Sequence, residues 1–251
     1  MDKDMIQIVA DRIGAADSVL FITGAGMSAD SGIPTYRGVG GLYDVQNTED
    51  GLPIEELLSG AMLERRPELT WKYLLQIADA CKGATFNRGH EVIAQLEQRV
   101  ARVWVLTQNV DGFHRAAGSK NVIDIHGDLH DLICPACGWT DYRETLDELS
   151  LPPRCPACEA IIRPDVVLFG EMLPVEKVDQ LRTQVAEGFD VVISVGTSAV
   201  FPYITAPIYD ARGRGALTVE INPGRSEISG VVEIQLASRA TETLDALWES
   251  M

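Results

Sequence analysis

Long apolar runs are absent from this sequence of 251 residues, and none reaches the ~18 residues that a membrane-spanning helix needs. The amino terminus carries Asp2 and Asp4, which are foreign to a secretory signal peptide. These two absences predict a cytoplasmic protein that does not use a membrane. Internal repeats and low-complexity tracts are also missing. The length therefore predicts one large domain, or one domain with a smaller insertion.

Basic residues are scarce: 21 Lys and Arg stand against 37 Asp and Glu, and the net charge is −16. Such a protein is poorly suited to gripping phosphate backbones, so we expect no direct nucleic acid partner. The same charge would attract lysine-rich protein segments, but the preferred explanation is that acidity keeps the protein soluble. The sequence leaves the oligomeric state open, and a monomer is favoured.

Cysteine is rare, and four of the five cysteines form two Cys-Pro-Ala-Cys pairs separated by seventeen residues. Two such pairs supply four thiolates, which is the ligand set of a tetrahedral zinc site. Four protein ligands leave no position for water, so the zinc would be structural and not catalytic. The alternative, a redox Cys-x-x-Cys, needs only one pair and a thioredoxin-like context. The predicted ligands are Cys134, Cys137, Cys155 and Cys158, and Cys81 is expected to be an ordinary helical residue.

The stretch from Ser18 to Gly32 passes from an apolar segment directly into glycines and small residues. This is typical of a buried strand that stops at a phosphate-binding loop before a helix begins. Gly24 and Gly26 would let the backbone approach a pyrophosphate without a Cβ atom in the way. The third glycine of the usual dinucleotide fingerprint is replaced by Ala29, and a simple tight turn explains Gly-x-Gly alone about as well.

Apolar periodicity predicts strands that alternate with helices, and hence an α/β fold with a doubly wound parallel sheet. The predicted strands are 18–23, 102–107, 121–125, 166–169, 190–195, 217–222 and 231–236. The predicted helices are 4–16, two within 53–82, 87–98, 175–186 and 241–248. Three strands run into Gly24, Asn109 and Gly196, at the sheet edge where open α/β sheets bind ligands. The cysteine pairs interrupt the alternation, so the zinc module is an insertion.

Together these motifs resemble the sirtuins, the family of NAD-dependent protein deacylases. The matching segments occur in family order over nearly the whole chain: Gly-Ala-Gly-Met-Ser at 24–28, Ser-Gly-Ile-Pro at 31–34, Tyr-Arg-Gly at 36–38, Thr-Gln-Asn-Val-Asp at 107–111, His-Gly at 126–127, the cysteine pairs, Arg-Pro at 163–164, Phe-Gly-Glu at 169–171, Gly-Thr-Ser at 196–198 and Asn222. The resemblance implies a bacterial-type enzyme with NAD as co-substrate and one structural zinc ion. A Rossmann-like NAD-binding domain would comprise residues 1–35, 85–128 and 165–251. The smaller inserted part would consist of a cofactor loop and helical module at 36–84 and a zinc module at 129–164.

The resemblance also implies how the chain would hold NAD, through backbone groups and small polar side chains. The pyrophosphate would lie on Gly24, Ala25, Gly26 and Ser28, and the adenosine end near Gly196, Thr197, Ser198 and Asn222. Tyr36 and Arg37 would close over the cofactor, and Gln108, Asn109, Val110 and Asp111 would hold the nicotinamide ribose and the carboxamide.

Asn109 and His126 are the residues for which the resemblance implies catalysis. An imidazole changes charge near neutral pH, so His126 fits a general base that takes a proton through the ribose hydroxyls. The ribose 2′-oxygen would then attack the acyl carbon, giving nicotinamide, free lysine and O-acyl-ADP-ribose. A lone histidine is more often structural, which is the expectation for His90 and His130, whereas His114 would pack beside the ribose pocket.

Acylated-lysine peptides are the partner that the resemblance implies. Val167, Phe169, Gly170 and Glu171 would offer strand edges that bind the main chain of an extended peptide.

The acyl preference depends on a departure from the family pattern. Many sirtuins have Pro-Asp-Phe-Arg where this chain has Pro-Thr-Tyr-Arg at 34–37. In having threonine at position 35, the chain resembles the sirtuin branch that removes succinyl or malonyl groups. That branch holds the acyl carboxylate with a Tyr-x-x-Arg pair. The nearest counterpart starts at Tyr73 and ends at Gln76, and a buried carboxylate needs a cationic partner. We therefore expect deacetylation, with longer neutral chains tolerated and succinyl disfavoured. Four apolar residues would line the acyl pocket: Trp71, Leu74, Leu75 and Ile77.

Other functions remain open at this point. The same pocket could serve mono-ADP-ribosyl transfer or NAD hydrolysis, which would consume NAD without loss of an acyl group. A nicotinamide-dependent dehydrogenase and a non-catalytic scaffold that binds acyl-peptides rank lower, because both would leave Asn109, Asp111 and His126 superfluous.

Overall fold

The computed structural model describes residues 3–35, 48–147 and 149–251. Tyr36 and Arg37, which are expected to close over the cofactor, lie outside the described residues. The helices are α1 Lys3–Gly14, α2 Ala25–Ser28, α3 Ile54–Leu57, α4 Gly60–Arg65, α5 Pro67–Cys81, α6 Arg88–Leu96, α7 Phe113–Ala116, α8 Val175–Glu187, α9 Pro202–Gly213 and α10 Ala240–Glu249. The strands are β1 Ser18–Thr23, β2 Arg102–Thr107, β3 Val122–Asp124, β4 Gly127–Ile133, β5 Thr140–Tyr142, β6 Arg163–Val166, β7 Val191–Val195, β8 Leu217–Ile221 and β9 Ile234–Leu236.

Six of these strands form a parallel sheet in the order β3-β2-β1-β7-β8-β9. The order changes direction between β1 and β7, and ligands of open α/β sheets bind beyond the carboxyl ends of strands at such a switch point. Gly24 follows β1 and Gly196 follows β7, so both glycines lie at this point. The doubly wound, Rossmann-like prediction is confirmed.

Strand β1 is buried along its whole length because apolar side chains cover both faces of the sheet. Val19 and Phe21 join a core cluster that includes residues of α1, α6 and α10. Leu20 and Ile22 point to the opposite face, into a cluster that includes residues of α8 and α9. The alternation of side chains along a strand thus gives this sheet two cores.

A second, antiparallel sheet has the order β5-β4-β6 and carries the cysteine pairs. Its apolar side chains share one cluster with helices α3, α4 and α5. Trp71 of α5 is fully buried there and donates its Nε1–H to the carbonyl of Ile162 at 3.0 Å. The helical and zinc-bearing segments therefore pack as one body around a common core.

Several predicted bounds are corrected. Residues 53–82 form three helices instead of two, although the predicted break before Pro67 is present because α5 begins at that residue. The predicted strand 166–169 is wrong: β6 covers Arg163–Val166, and the chain after it makes isolated contacts with neighbouring segments. The strand predicted at 231–236 is confined to Ile234–Leu236. Helix α9 and strands β4 and β5 were not predicted. Among the described helices, none has the length and apolar character that spanning a bilayer requires.

Candidate active site

The loops after β1 and β7 press against each other at the switch point. Gly26 donates its N–H to the carbonyl of Gly196 at 2.8 Å, and Gly24 donates its N–H to the carbonyl of Val195 at 3.1 Å. A Cβ atom on Gly26 would lie 2.6 Å from the Cα of Gly196, and one on Gly24 would lie 2.8 Å from the Cβ of Thr197. Both glycines are therefore required by this loop-to-loop contact, whatever ligand lies above it.

We expect Gly26→Ala to destabilise the protein by about 1–3 kcal/mol, because the obstructing atoms are backbone and cannot rotate away. The change should also weaken NAD binding, since it separates the two loops. Thermal unfolding and calorimetric titration with NAD measure the two effects. Gly213→Ala is the matched control, because its Cβ would meet open space among the described residues. Equal stability of both variants would contradict this account of the loop contact.

Polar side chains from three segments meet beside these loops. The Ser28 hydroxyl donates to Asp111 Oδ2 at 2.6 Å and accepts from Asn109 Nδ2 at 3.1 Å. Asn109 Nδ2 also donates to the carbonyl of Gly24 at 3.1 Å. Burial raises the pKa of Asp111, and the bond from Ser28 opposes that rise. The network ties the glycine loop to the end of β2, as the sequence predicted for an edge that binds a ligand.

A second set of contacts joins the β2 end to the β7 end. Gln108 donates through Nε2 to Thr197 Oγ1 at 2.8 Å, and Asn222 donates through Nδ2 to the carbonyl of Thr197 at 3.0 Å. Thr197 is thus held from both sides. Of the cofactor residues predicted from the sequence, these contacts join nine in the described part of the chain: Gly24, Gly26, Ser28, Gln108, Asn109, Asp111, Gly196, Thr197 and Asn222. Ala25, Val110 and Ser198 are their neighbours in the chain.

His126 lies between β3 and β4, immediately before the second sheet begins. Its Nδ1 is 2.9 Å from the carbonyl oxygen of Gln108, and its Nε2 is 2.7 Å from the hydroxyl oxygen of Tyr203. Burial lowers the pKa of His126, and nearby Lys177 lowers it further, although the bond to Gln108 acts in the opposite sense. The imidazole is therefore neutral at pH 7. Because a carbonyl can only accept, Nδ1 carries the proton and Nε2 presents its lone pair.

Tyr203, in the first turn of α9, was not singled out from the sequence. Its ring stacks on Phe201, with centroids 5.4 Å apart and planes 11° apart, and both rings meet His126 edge-on. Burial raises the pKa of Tyr203 to about 12, so its hydroxyl keeps its proton. The only sequence signal was an aromatic pair following Gly-Thr-Ser, and it gave no indication of a contact with His126.

The other histidines make contacts within the protein, as expected of His90 and His130. His90 caps α6, where its Nδ1 accepts the N–H of Asn87 at 3.2 Å, and burial lowers its pKa to about 4. His114 is buried, and its Nε2 lies 2.9 Å from Thr23 Oγ1. Thr23 in turn contacts Thr107, whose hydroxyl accepts the N–H of Asn109. His130 pairs with Asp128 at 2.9 Å, and that bond raises the pKa of His130.

The segment after β6 runs along the rim of the site. Val167 donates its N–H to the carbonyl of His126 at 2.9 Å, while Phe169 exchanges backbone bonds with Leu58 and Gly60. The Glu171 carboxylate pairs with the Arg163 guanidinium at 2.5 and 2.9 Å and also accepts the N–H of Leu168. Glu171 therefore holds the segment in place, a role that the sequence did not indicate.

The four cysteines of the two pairs converge at one end of the small sheet. Their Sγ atoms all lie within 4.8 Å of one another, with Cys134 and Cys158 3.5 Å apart and Cys137 and Cys155 3.6 Å apart. A tetrahedron with Zn–S bonds of about 2.3 Å requires S···S separations of about 3.8 Å. The site fits one zinc ion with no open position, as predicted from the spacing.

The predicted acyl pocket is corrected in part. Trp71 and Leu74 are buried in the core shared by the helices and the small sheet, so they do not line an open pocket, whereas Leu75 and Ile77 are partly buried at its edge. The Tyr73 hydroxyl donates to Asp50 Oδ2 at 2.6 Å. Tyr73 is therefore already engaged by a carboxylate of the protein.

Comparison with known proteins agrees with this geometry. The profile described as the Sir2 family matches residues 24–202. A curated relative, NAD-dependent protein deacylase 2 of Pseudomonas aeruginosa, is 50% identical over 243 residues, which cover 95% of this chain and 94% of the relative. The curated relatives of this kind are NAD-dependent protein deacylases.

Two solved structures are similar over nearly their whole length. A Sir2 homolog in complex with NAD has a TM-score of 0.85 and 33% identity, covering 100% of this chain and 94% of the other. A Sir2 protein with a deacetylated p53 peptide and 3′-O-acetyl-ADP-ribose has a TM-score of 0.83 and 26% identity, covering 97% of each chain. Because the profile spans most of the chain and the identity reaches one half, the chain belongs to the Sir2 family.

Proposed function

We propose that the protein is an NAD-dependent protein lysine deacetylase that forms nicotinamide, deacylated lysine and O-acyl-ADP-ribose. One observation carries the proposal: a neutral His126, with a lone pair on Nε2, stands at the same sheet edge as the glycine loop and the Ser28–Asn109–Asp111 network. When bound, NAD supplies a ribose carbon that becomes electrophilic as nicotinamide leaves. The chain's own residues would bind and orient NAD and would deprotonate its ribose.

The residues of the switch point fit a dinucleotide. Backbone around Ala25 and Gly26 would face the pyrophosphate, and the segment from Gly196 to Ser198 with Asn222 would hold the adenosine end. Gln108, Asn109, Val110 and Asp111 would surround the nicotinamide ribose and exclude water from it. Tyr36 and Arg37, which are not among the described residues, would close over the cofactor. The donor set supports this assignment, because it combines amides, a hydroxyl and a carboxylate suited to ribose and carboxamide groups.

His126 would act as the general base at Nε2. The Gln108 carbonyl fixes its tautomer, and burial keeps it neutral, so Nε2 is unprotonated at pH 7. Asn109 would orient the ribose, since its amide is already held by Gly24 and Ser28.

An extended peptide would lie along Val167, Phe169 and Gly170, with Glu171 fixing that segment through Arg163. The Phe169 backbone already pairs with Leu58 and Gly60, and the Leu168 backbone pairs with Glu171, so the peptide would pair with other backbone groups of the segment. Recognition through main-chain groups would allow peptides of many different sequences to bind.

Acyl selectivity provides the test. We expect nicotinamide to be released with acetyl-lysine peptides, and activity to be retained with butyryl-lysine peptides. With succinyl-lysine peptides, kcat/KM should be lower by about tenfold or more. Gln76 carries no charge, and Tyr73 is held by Asp50, so a buried distal carboxylate would lack a cationic partner. Mass spectrometry of the products with NAD and the peptide panel measures these rates.

The outcomes separate the competing functions. NAD loss without loss of the acyl group would favour ADP-ribosyl transfer or NAD hydrolysis, and acyl-peptide binding without turnover would favour a scaffold. A preference for succinyl-lysine would overturn the argument from Gln76.

We further propose that the Rossmann-like domain covers residues 1–35, 85–128 and 165–251, with the two inserted modules at 36–84 and 129–164. The shared core of α5 and the small sheet supports treating the two modules as one inserted body. A cytoplasmic monomer that acts on acylated-lysine proteins, with neither nucleic acid nor membrane as a direct partner, is consistent with the acidic composition.

A further inference from the structure

The atom proposed to accept the substrate proton already has a partner in the free protein. His126 Nδ1 must donate to the Gln108 carbonyl, so Nε2 of the neutral ring can only accept. The Tyr203 hydroxyl, 2.7 Å away, therefore donates its proton to the Nε2 lone pair. An imidazole nitrogen has one in-plane lone pair, so this hydrogen bond and one from a ribose hydroxyl exclude each other.

We propose that Tyr203 is a positioning residue that caps the general base: its hydroxyl occupies His126 Nε2 until a bound ribose hydroxyl displaces it. The inference rests on the proposed function of His126 as the base. The cap does not change the proton transfer itself. After the Tyr203 hydroxyl has left, the ribose O–H bond breaks and an Nε2–H bond forms.

The segment that carries the cap also carries part of the cofactor site. Six residues separate Gly196 from Tyr203, and Thr197 is held by Gln108 and Asn222. Between them, buried Ala199 has a φ of +54°, a left-handed backbone conformation that a residue with a Cβ atom adopts at a cost. Strain at this point would favour a second arrangement of the segment. A ligand that repositions residues 196–198 could therefore move Tyr203 away from His126.

The cap makes the free protein less receptive to substrate. A hydrogen bond between neutral groups must be broken before the ribose hydroxyl can bind, which should raise the apparent KM for NAD by about two- to tenfold. Once the cap has left, the chemical step should be unaffected. Tyr203 would thus act on KM and leave kcat unchanged.

Tyr203→Phe in the full-length, zinc-loaded protein tests the proposal, because it removes the hydroxyl and keeps the ring that stacks on Phe201. Two measurements are needed. Without NAD, diethylpyrocarbonate should modify His126 about two- to tenfold faster in the variant, as followed by peptide mass mapping, while the rate at His130 stays constant. In steady-state assays the KM for NAD should fall by a similar factor with kcat retained.

Tyr209→Phe is the matched control, since Tyr209 is an exposed tyrosine on the same helix. An unchanged rate of His126 modification in Tyr203→Phe would overturn the cap. A loss of kcat with KM unchanged would also overturn it, because the hydroxyl would then take part in the chemistry. Faster modification in a protein that releases no nicotinamide would support the cap while rejecting the proposed function.

Discussion

Replacing His126 with alanine should lower kcat/KM for deacetylation by about 10²–10⁴-fold, which is the usual contribution of a positioned general base. The ring makes its bonds to a backbone carbonyl and to one hydroxyl at the rim of the site, so its removal should leave the fold intact. Rates of O-acyl-ADP-ribose formation, together with calorimetric NAD binding, separate loss of chemistry from loss of structure.

His130→Ala is the matched control for that variant. His130 is a second half-buried histidine nearby, but it pairs with Asp128 on the small sheet. Wild-type rates in His126→Ala would rule out the proposed base. The pH profile is a second check: because burial lowers the pKa of His126, the acidic limb of kcat/KM should lie below pH 6.5 and vanish in the variant.

Loss of zinc should have the largest effect on stability. Binding at a four-thiolate site contributes on the order of 10 kcal/mol to the folding of small zinc modules, and Cys134→Ser removes a buried ligand. Cys134 and Cys155 also belong to the core that contains Trp71, so unfolding of the small sheet should spread to α5. We expect the metal content to fall from one zinc ion per chain to nearly none, with an earlier thermal transition and loss of deacetylation.

Cys81→Ser provides the control, because Cys81 lies at the end of α5 and is not among the four converging cysteines. Its metal content and unfolding temperature should match those of the parent protein. Retention of a full zinc equivalent and parental stability in Cys134→Ser would refute the assignment of a structural ion.

The strands of the large sheet could be predicted from the sequence because burial on both faces leaves a continuous apolar signature. Strands β1 and β2 have the predicted bounds, and β7 and β8 differ by one residue at one end. The small sheet leaves a weaker signature. Strand β4 carries charged residues and a register shift between Asp128 and Leu132, and β5 has only three residues.

Helix α9 was missed because Pro207 lies inside it, and proline is normally evidence against a helix interior. Missing the helix also meant missing Tyr203 and its contact with His126. The glycine loop shows a different limit. The sequence marked Gly24 and Gly26 as unusual, but only the folded chain reveals that Gly196 and Thr197, far along the chain, lie against them. Local patterns carry no information about which distant loop is the neighbour.

The placement of His126 between the two sheets has a mechanical consequence. Its carbonyl accepts the N–H of Val167, and the next residue, Gly127, pairs with Val166 of the small sheet. Meanwhile its ring is anchored to Gln108 at the end of a strand of the large sheet. Any displacement of one sheet relative to the other would pull on both attachments at once, so the orientation of the imidazole is coupled to the spacing of the two sheets.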